Sequence, residues 1–288
     1  MNNEENKKNL KTPNKPNWCP GCGDLAIWTA FKNAAAEKDW NNHNTAFVAG
    51  VGCHGHMVNF VRLTALEGLH GRALPVASGL KMANSDLNVF VFSGDGDGLA
   101  EGGNHFLHTA RRNHDLTMLL HDNAVYGLTT GQTSPRSPKG YISKSTPDGS
   151  FEEPLHPLTL AIAVGASFVA RAYSGDIEYL TKLIIEANEH KGFALIDILQ
   201  PCVTFNKMYS HIFYQRNTYY LDENYDFTNK MAALEKSMEW EENRIPLGVF
   251  YKVDAPSYES QIPQIKDTAL VKQNMSKRDI SELLEKLS

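Results

Sequence analysis

The sequence is short of the features that mark membrane, secreted and nucleic-acid-binding proteins. Its 28 Lys and Arg against 33 Asp and Glu give a formal net charge of −5, so no basic excess points to nucleic acid. No apolar run approaches the ~20 residues that span a bilayer, and residues 1–16 lack the apolar stretch of a secretory signal. The chain has only four cysteines and no export signal, which argues against a disulfide framework. We therefore expect a cytoplasmic protein with no membrane or nucleic-acid partner.

The composition that remains is that of a folded globular protein. Hydrophobic residues make up 42% of the 288 positions and aromatic residues 10%, which excludes a disordered, collagen-like or coiled-coil chain. A chain of this length hides about three quarters of its unfolded surface. The length of the chain allows one large domain or two small ones.

Apolar segments of strand length alternate with segments of helical periodicity. This alternation predicts an α/β fold, a mostly parallel sheet with helices on both faces and a C-terminal extension. The predicted strands cover residues 45–49, 88–93, 115–121, 167–172 and 193–199, and the predicted helices cover residues 24–38, 99–112 and 176–190.

Changes in composition divide the chain into three parts. The Asn- and Lys-rich residues 1–16 predict a flexible tail, residues 17–204 form the main domain, and the polar, tyrosine-rich residues 205–288 form an extension packed on it. Within the main domain, residues 128–157 contain five prolines and no apolar periodicity, which is typical of a functional loop. In the extension, helices are predicted near residues 226–242 and 276–287.

One chemical motif follows a predicted strand. Asp95 ends the segment NVFVFSGD, and Asn123 ends the next strand along the chain after an intervening helix. Because the carboxyl ends of parallel strands meet at one edge of a sheet, we expect both side chains at that edge. Glycines at 94, 96 and 98 and a helix N-terminus favour a phosphate, and carboxylate and amide oxygens suit Mg²⁺. The motif predicts a metal-bridged diphosphate, although a glycine-rich tight turn without a ligand explains the same residues.

A second glycine motif lies upstream. Residues 50–55, GVGCHG, match the pattern G-x-G-x-x-G after a strand, and Glu67 and Asp86 bracket the position of a ribose-binding acid. No clear second strand precedes either acid, so the context of a dinucleotide site is not met. The match is weak.

The four cysteines share a predicted location. Cys19 and Cys22 form a CxxC loop at a helix N-terminus, whereas Cys53 and Cys202 each follow a strand. Four thiolates converging at the carboxyl edge of the sheet would hold a zinc ion or a [4Fe–4S] cluster. Spacing alone also permits redox-active or metal-free CxxC thiols with two core cysteines. Among the histidines, only His54, next to Cys53, is a candidate functional residue.

Several motifs together resemble a known family. The segments WCPGCGD, GVGCHGH, GDGDG, DNAVYGLTTGQTSP and QPC are similar, in order and separation, to the β subunit of 2-oxoacid:ferredoxin oxidoreductases. The similarity covers the chain from Trp18 to Asn206. It implies a thiamine-diphosphate-binding fold and an oxidoreductase that decarboxylates a 2-oxoacid with coenzyme A, giving acyl-CoA, CO₂ and reduced ferredoxin. The sequence around residues 131–176 favours 2-oxoglutarate over pyruvate.

The resemblance also implies a partner. In this family the carboxylate that activates the cofactor's aminopyrimidine belongs to an α subunit, so we expect an αβ or (αβ)₂ assembly.

The same resemblance implies roles for individual residues. Mg²⁺ would be bound by Asp95, Asn123 and the carbonyl of Val125, and the diphosphate by Gly96, Asp97, Gly127 and Leu128. The thiazolium side would be lined by Val51, Gly52, Cys53 and His54, with His54 as a catalytic residue. The [4Fe–4S] cluster would be held by Cys19, Cys22, Cys53 and Cys202. Asp122 stands where asparagine is frequent, but the metal-binding Asn123 is retained.

Two other functions stay open on the sequence. One is a thiamine-diphosphate-dependent decarboxylase or synthase subunit without an iron–sulfur cluster. The other is a zinc-stabilised, non-catalytic subunit, against which the intact Asp95 and Asn123 argue.

Overall fold

The fold is built around one twisted sheet. The computed structural model describes residue 7 and residues 9–240, 244–274, 276 and 279–287. Within them eight strands form a single sheet. They are β1 (Thr45–Ala49), β2 (Thr64–Glu67), β3 (Asn88–Gly94), β4 (Thr117–Asp122), β5 (Phe168–Tyr173), β6 (Ala194–Leu199), β7 (Thr218–Tyr220) and β8 (Ile245–Lys252).

The strand order across the sheet is β2-β1-β3-β4-β6-β5-β8-β7. Strands β1 to β6 are mutually parallel, whereas β8 pairs antiparallel with β5 and parallel with β7. The carboxyl ends of β1, β3, β4 and β6 therefore lie side by side at one edge. The predicted α/β architecture is confirmed.

Helices cover both faces of the sheet. The α-helices are α1 (Gly23–Glu37), α2 (Met57–Phe60), α3 (Ala73–Ala83), α4 (Gly103–Arg112), α5 (Pro157–Val164), α6 (Ile177–Glu189), α7 (His211–Asn217), α8 (Lys230–Ser237) and α9 (Ser281–Glu285). A π-helical stretch, Gly96–Glu101, precedes α4, and a 3-10 turn, Cys53–His56, precedes α2. Helices α1 and α6 pack on one face, while α3, α4, α5 and α8 pack on the other.

The two faces carry different cores. Under α1 and α6 the strands present large rings, and Phe31 of α1 packs edge-on against Phe90 and Phe92 of β3. The opposite core is mainly aliphatic, with Phe106 of α4 packed against Phe193. Because both faces are covered, the central strands are buried at nearly every position, as their continuous apolar sequences predict.

Several elements of the main domain are not predicted from the sequence. Strand β2 pairs with β1 and ends at Glu67, so a second strand does precede that acid, contrary to our expectation. Its sequence, TALE, is short and mostly exposed, so no buried-strand pattern marks it. The helical part between β1 and β2 is limited to the 3-10 turn and the four residues of α2, too short for a dinucleotide-binding βαβ unit. Helix α3, which contains Pro75 and Gly79, and the short helices α2 and α5 are also unpredicted.

The extension contributes strands to the sheet instead of lying only on its surface. Strand β8 continues the sheet beyond β5, and β7 follows it. Its helices are shorter than predicted: α8 spans Lys230–Ser237 and α9 spans Ser281–Glu285, while residues 241–243, 275, 277–278 and 288 lie outside the described part of the chain.

The described part of the N-terminal tail, which the sequence predicts to be flexible, is partly packed. Leu10 is buried, and its carbonyl accepts a hydrogen bond of 2.8 Å from the Arg62 amide. Lys11 bridges to Val61, and Thr12 donates to the Asn59 carbonyl at 2.6 Å. The buried Leu10 side chain and these hydrogen bonds thus hold the tail against the segment that precedes β2. Residues 1–6 and 8 lie outside the described part of the chain.

Candidate active site

A pocket opens at the carboxyl edge of β1, β3 and β4. It is lined by all of the predicted cofactor and magnesium residues, namely Val51, Gly52, Cys53, His54, Asp95, Gly96, Asp97, Asn123, Val125, Gly127 and Leu128. His70, Gly94, Tyr126 and Thr129 complete the lining. The residues come from three strand ends, so the parallel sheet brings them together as its topology predicts.

Asp95 is the buried acid of this pocket. It is 1% exposed, and its Oδ2 accepts a hydrogen bond from Ser134 of the proline-rich loop. Burial, followed by the negative charge of Asp122, raises the pKa of Asp95 to about 8. A bare carboxylate is therefore disfavoured here, whereas a divalent cation would stabilise the ionised form. The chemistry of this donor fits a magnesium ligand.

A strained turn supplies the other two expected magnesium ligands. Asn123 Oδ1 accepts a 3.0 Å hydrogen bond from the Val125 amide, which closes the turn. Between them Ala124 has a φ of 57°, a left-handed conformation that non-glycine residues seldom adopt. The Ala124 carbonyl accepts a 2.7 Å hydrogen bond from Ser137, so the loop 128–157 holds the strained turn in place. Asn123 and Val125 both line the pocket on the side where Asp95 lies.

The Asp97 carboxylate is occupied by donors from the protein itself. Its Oδ1 accepts hydrogen bonds from the amides of Val51 at 3.2 Å and Gly71 at 2.7 Å, and its Oδ2 accepts one from Ser93 at 2.5 Å. Burial alone would raise the pKa of Asp97, but the nearby His54 ring and these donors lower it to about 2. Through these hydrogen bonds the Asp97 carboxylate connects the segment after β1, strand β3 and the loop before α3. Any contact of residue 97 with a diphosphate would therefore run through its backbone.

His54 lies in the floor of the pocket. It is buried, and its Nε2 is 3.5 Å from Asp97 Oδ2 without the geometry of a hydrogen bond. The ring sits against Gly52 and Gly94, where an added Cβ would come within 2.6 Å and 2.8 Å of its atoms. The buried His54 ring thus lies between the Asp97 carboxylate and the predicted thiazolium side of the pocket, with a nitrogen that makes no well-aligned hydrogen bond.

Gly96 and Tyr126 are in close contact at the end of the pocket where the sequence predicts a diphosphate. A Cβ on Gly96 would lie 2.3 Å from the Tyr126 ring, so only glycine fits at the start of the π-helical stretch. The Tyr126 hydroxyl donates to Glu101, and His70 stacks beside the same tyrosine. His70 Nδ1 lies 3.2 Å from Glu101 Oε2 at the mouth. This group of His70, Glu101 and Tyr126 has no sequence signature, because its members come from separate elements.

The four cysteines gather on the side of the pocket nearest α1. A Cβ on the pocket residue Gly127 would lie 3.5 Å from Cys53 Sγ and 3.6 Å from Cys202 Sγ. The CxxC loop is fastened to the same edge because the Gly23 amide donates to the Pro201 carbonyl at 3.2 Å. Trp18 Nε1 also donates to the Cys53 carbonyl at 2.7 Å. Cys19 is exposed, Cys53 is half-buried, and the other two are buried.

Burial disfavours the ionised form of two of these thiols. Burial, with the neighbouring Asp24 charge, raises the pKa of Cys53 to about 12 and raises that of Cys22 further. Thiolates would form only beside bound cations. Within the described residues no three His, Cys, Asp or Glu side chains converge closely enough for one metal ion. Cysteine is the residue type that ligates both iron–sulfur clusters and structural zinc ions.

A buried ion pair anchors the loop over the pocket. Arg136 Nε donates to Asp122 Oδ2 at 2.7 Å, both side chains are nearly inaccessible, and the guanidinium lies 4.6 Å above the Trp240 ring. The aspartate at position 122, where asparagine is frequent in the family, forms an ion pair with Arg136. The loop that carries Ser134 to Asp95 is held between the sheet and the extension.

Replacement of Arg136 by methionine is expected to lower the free energy of unfolding by about 3–5 kcal/mol, because it leaves the Asp122 carboxylate buried without a partner. Urea unfolding of the purified protein measures this change. The double variant Arg136→Met/Asp122→Asn, which removes both charges, should recover most of the loss. A single variant within about 1 kcal/mol of the parent, as is common for exposed pairs, would contradict the assignment.

Comparison with known proteins agrees with this geometry. Residues 42–198 match the family described as thiamine pyrophosphate enzyme, C-terminal TPP binding domain. Residues 202–267 match the family described as the C-terminal part of the pyruvate ferredoxin oxidoreductase beta subunit. The first match spans the strands that form the pocket, so the class of the main domain is a thiamine-diphosphate-binding α/β domain.

Relatives along the whole chain identify the family. A 2-oxoacid:ferredoxin oxidoreductase subunit beta from Sulfolobus sp is 42% identical over 265 residues, with 87% of each chain covered. A 2-oxoglutarate synthase subunit KorB from Methanothermobacter marburgensis is 36% identical over 263 residues, covering 89% of this chain and 90% of that one. The protein belongs to the β subunits of the 2-oxoacid:ferredoxin oxidoreductases, an oxidoreductase family.

A solved structure shares the fold over nearly the whole length. It is a 2-oxoglutarate:ferredoxin oxidoreductase from Magnetococcus marinus with 2-oxoglutarate, coenzyme A and succinyl-CoA bound. The TM-score is 0.91 at 35% identity, with 98% of this chain and 96% of that chain covered. Within the described residues, no helix is long and apolar enough to cross a membrane.

Proposed function

We propose that this chain is the cofactor-bearing β subunit of an enzyme that oxidatively decarboxylates a 2-oxoacid with coenzyme A and passes the electrons to ferredoxin. One observation carries the proposal: Cys53 lines the same pocket as Asp95 and Asn123, and a Cβ built on the pocket residue Gly127 would lie 3.5 Å from Cys53 Sγ and 3.6 Å from Cys202 Sγ. The proposed thiamine diphosphate pocket and the cysteines are therefore directly adjacent.

The residues of the pocket fit magnesium and thiamine diphosphate. Asp95, the Asn123 side chain and the Val125 carbonyl would hold the metal, and the backbone around Gly96, Gly127 and Leu128 would hold the diphosphate. Thiamine diphosphate supplies an electron sink for the carbon from which CO₂ leaves. Val51, Gly52 and His54 would line the reacting end, where His54 Nε2 is placed to hold or move a proton.

The cysteines would hold one [4Fe–4S] cluster that accepts electrons one at a time. Cys53 lines the pocket, so the path from the reacting carbon to a ligand of the cluster is short. Cys19 is the exposed ligand, which favours the CxxC loop as the face where ferredoxin takes the electron.

The substrate is proposed from the relatives. Several of them act, by their names, on 2-oxoglutarate, and the solved structure holds 2-oxoglutarate and coenzyme A. We propose 2-oxoglutarate as the preferred 2-oxoacid, with pyruvate as the weaker one. An α subunit would complete the site with the carboxylate that activates the cofactor, in an αβ or (αβ)₂ assembly.

The test is an assay with 2-oxoglutarate, coenzyme A and a low-potential one-electron dye under anaerobic conditions. The β chain alone is expected to reduce the dye at no more than background rate. Co-expression with an α chain is expected to give reduction that requires both substrates. Full activity of the β chain alone, or activity that does not need coenzyme A, would contradict the proposal.

A further inference from the structure

Gln200 connects the pocket with the cysteines. The residue directly follows β6, and its side chain is 1% exposed. Its Oε1 accepts a 2.8 Å hydrogen bond from Asn123 Nδ2, and its Nε2 donates to Cys22 Sγ at 3.1 Å. One amide therefore touches an expected magnesium ligand at one end and an expected cluster ligand at the other.

The orientation of this amide is fixed by its surroundings. Asn123 Oδ1 is engaged by the Val125 amide, so the Asn123 NH₂ group must face Gln200. The carbonyl end of Gln200 then has to face Asn123, which turns its N–H groups toward Cys22 and the Pro201 carbonyl at 3.3 Å. The reverse orientation would oppose two NH₂ groups in a buried place, which is unfavourable.

We infer that Gln200 is a positioning residue that couples the two cofactor sites, because its N–H donates to the sulfur of Cys22 and its carbonyl is polarised through Asn123. This inference rests on the proposed function. Hydrogen bonds to ligand sulfurs are among the factors that set the reduction potential of iron–sulfur clusters. A donor stabilises the more negative, reduced cluster, so this one raises the potential.

Metal binding at Asn123 is expected to change the hydrogen bond that Gln200 donates to Cys22. A magnesium ion held by Asn123 Oδ1 would withdraw electrons from the amide, and its Nδ2–H would then be a stronger donor to Gln200. The Gln200 carbonyl is polarised in turn, and its N–H becomes a stronger donor to the sulfur, since hydrogen bonds in a chain strengthen one another. Binding of magnesium and thiamine diphosphate is thus expected to raise the potential of the cluster. The Asp24 carboxylate, 3.4 Å from the same sulfur, opposes this effect in either state.

The experiment measures the midpoint potential of the cluster in the full αβ protein. Each preparation is titrated with dithionite, with and without magnesium and thiamine diphosphate, and the one-electron-reduced cluster is followed by EPR. Gln200→Met keeps the length of the side chain and removes both polar ends. Gln200→Glu keeps an oxygen toward Asn123 and removes the donor to sulfur. Ser174→Ala is the control, because Ser174 is buried near Gly23 of the same edge and bonds to no cysteine.

In the parent and in Ser174→Ala, the cofactors are expected to shift the potential to a more positive value. In Gln200→Met the one-electron equilibrium is expected to favour the oxidised cluster about tenfold more, a shift of ~59 mV to a more negative value. The cofactor-induced shift should vanish in this variant and in Gln200→Glu, whereas an effect through space would persist.

Persistence of the shift in the variants, an unchanged potential in Gln200→Met, or no shift in the parent would overturn the inference. If Gln200→Met fails to fold, Gln200→Glu and the parent still decide it. A parent protein without a cluster would instead contradict the proposed function, so the two failures are distinguishable.

Discussion

Replacement of Asp95 by asparagine is expected to weaken magnesium-dependent binding of thiamine diphosphate by roughly 100-fold, about 2.8 kcal/mol. The carboxylate is the only charged side chain among the three expected magnesium ligands, and Mg²⁺ binds anionic oxygen most strongly. The amide has the same shape, so the pocket itself should persist. Isothermal titration calorimetry of the αβ protein with thiamine diphosphate, at fixed magnesium, measures the change.

The cofactor-free Asp95→Asn protein is expected to unfold no more easily than the parent, because a buried carboxyl group is replaced by a neutral amide. Asp86→Asn is the matched control. It also removes one carboxylate, but from an exposed ion pair with Lys272, and should leave the affinity within twofold of the parent. Parental affinity in Asp95→Asn would show that the metal is held elsewhere.

Replacement of Cys202 by serine is expected to abolish the [4Fe–4S] cluster while sparing thiamine diphosphate binding. A serine hydroxyl is a hard and weakly acidic ligand that does not replace a thiolate on iron. Iron and acid-labile sulfide should fall from about four each per chain to well under one, and dye reduction should be lost with them. Metal and sulfide analysis of protein purified without oxygen measures the loss.

Asp95→Asn and Cys202→Ser are reciprocal controls. Asp95→Asn should keep the iron and lose the affinity for thiamine diphosphate, whereas Cys202→Ser should do the reverse. Cys202→Ser with full iron and sulfide would contradict the assignment of the cluster ligands, and loss of both cofactors in both variants would point to a general collapse of the edge.

The location of the pocket follows from the sequence because its residues follow strands. Asp95 and Asn123 come at the ends of β3 and β4, and the alternation of strands and helices requires these ends to be adjacent. Val51 and His54 follow β1 in the same way. The motifs therefore indicate the location of the site together with its residues.

The contacts that the sequence does not reveal join residues far apart in the chain. Gln200 meets Cys22 across 178 positions, and Ser134 reaches Asp95 from a loop without a periodic pattern. The hydrogen bonds of the Asp97 carboxylate with the Val51 and Gly71 amides are likewise not expected from the sequence, because only the folded loops bring these groups together. Such pairings depend on tertiary packing, which local patterns do not encode.

The strands of the extension are not predicted from the sequence for a different reason. Strand β7 has only three residues, and β8 contains Pro246 and Gly248, which are uncommon inside strands. Both elements exist because β8 pairs with the edge of β5. A partner strand, and not the propensity of the segment, decides their structure.

The central claim is that one chain carries a thiamine diphosphate site and an iron–sulfur cluster side by side. The most direct measurement is the cofactor content of anaerobically purified protein, alone and co-expressed with an α chain. We expect about four iron and four sulfide per chain, with thiamine diphosphate and magnesium in the αβ protein. Zinc without sulfide would contradict it, even if thiamine diphosphate were present.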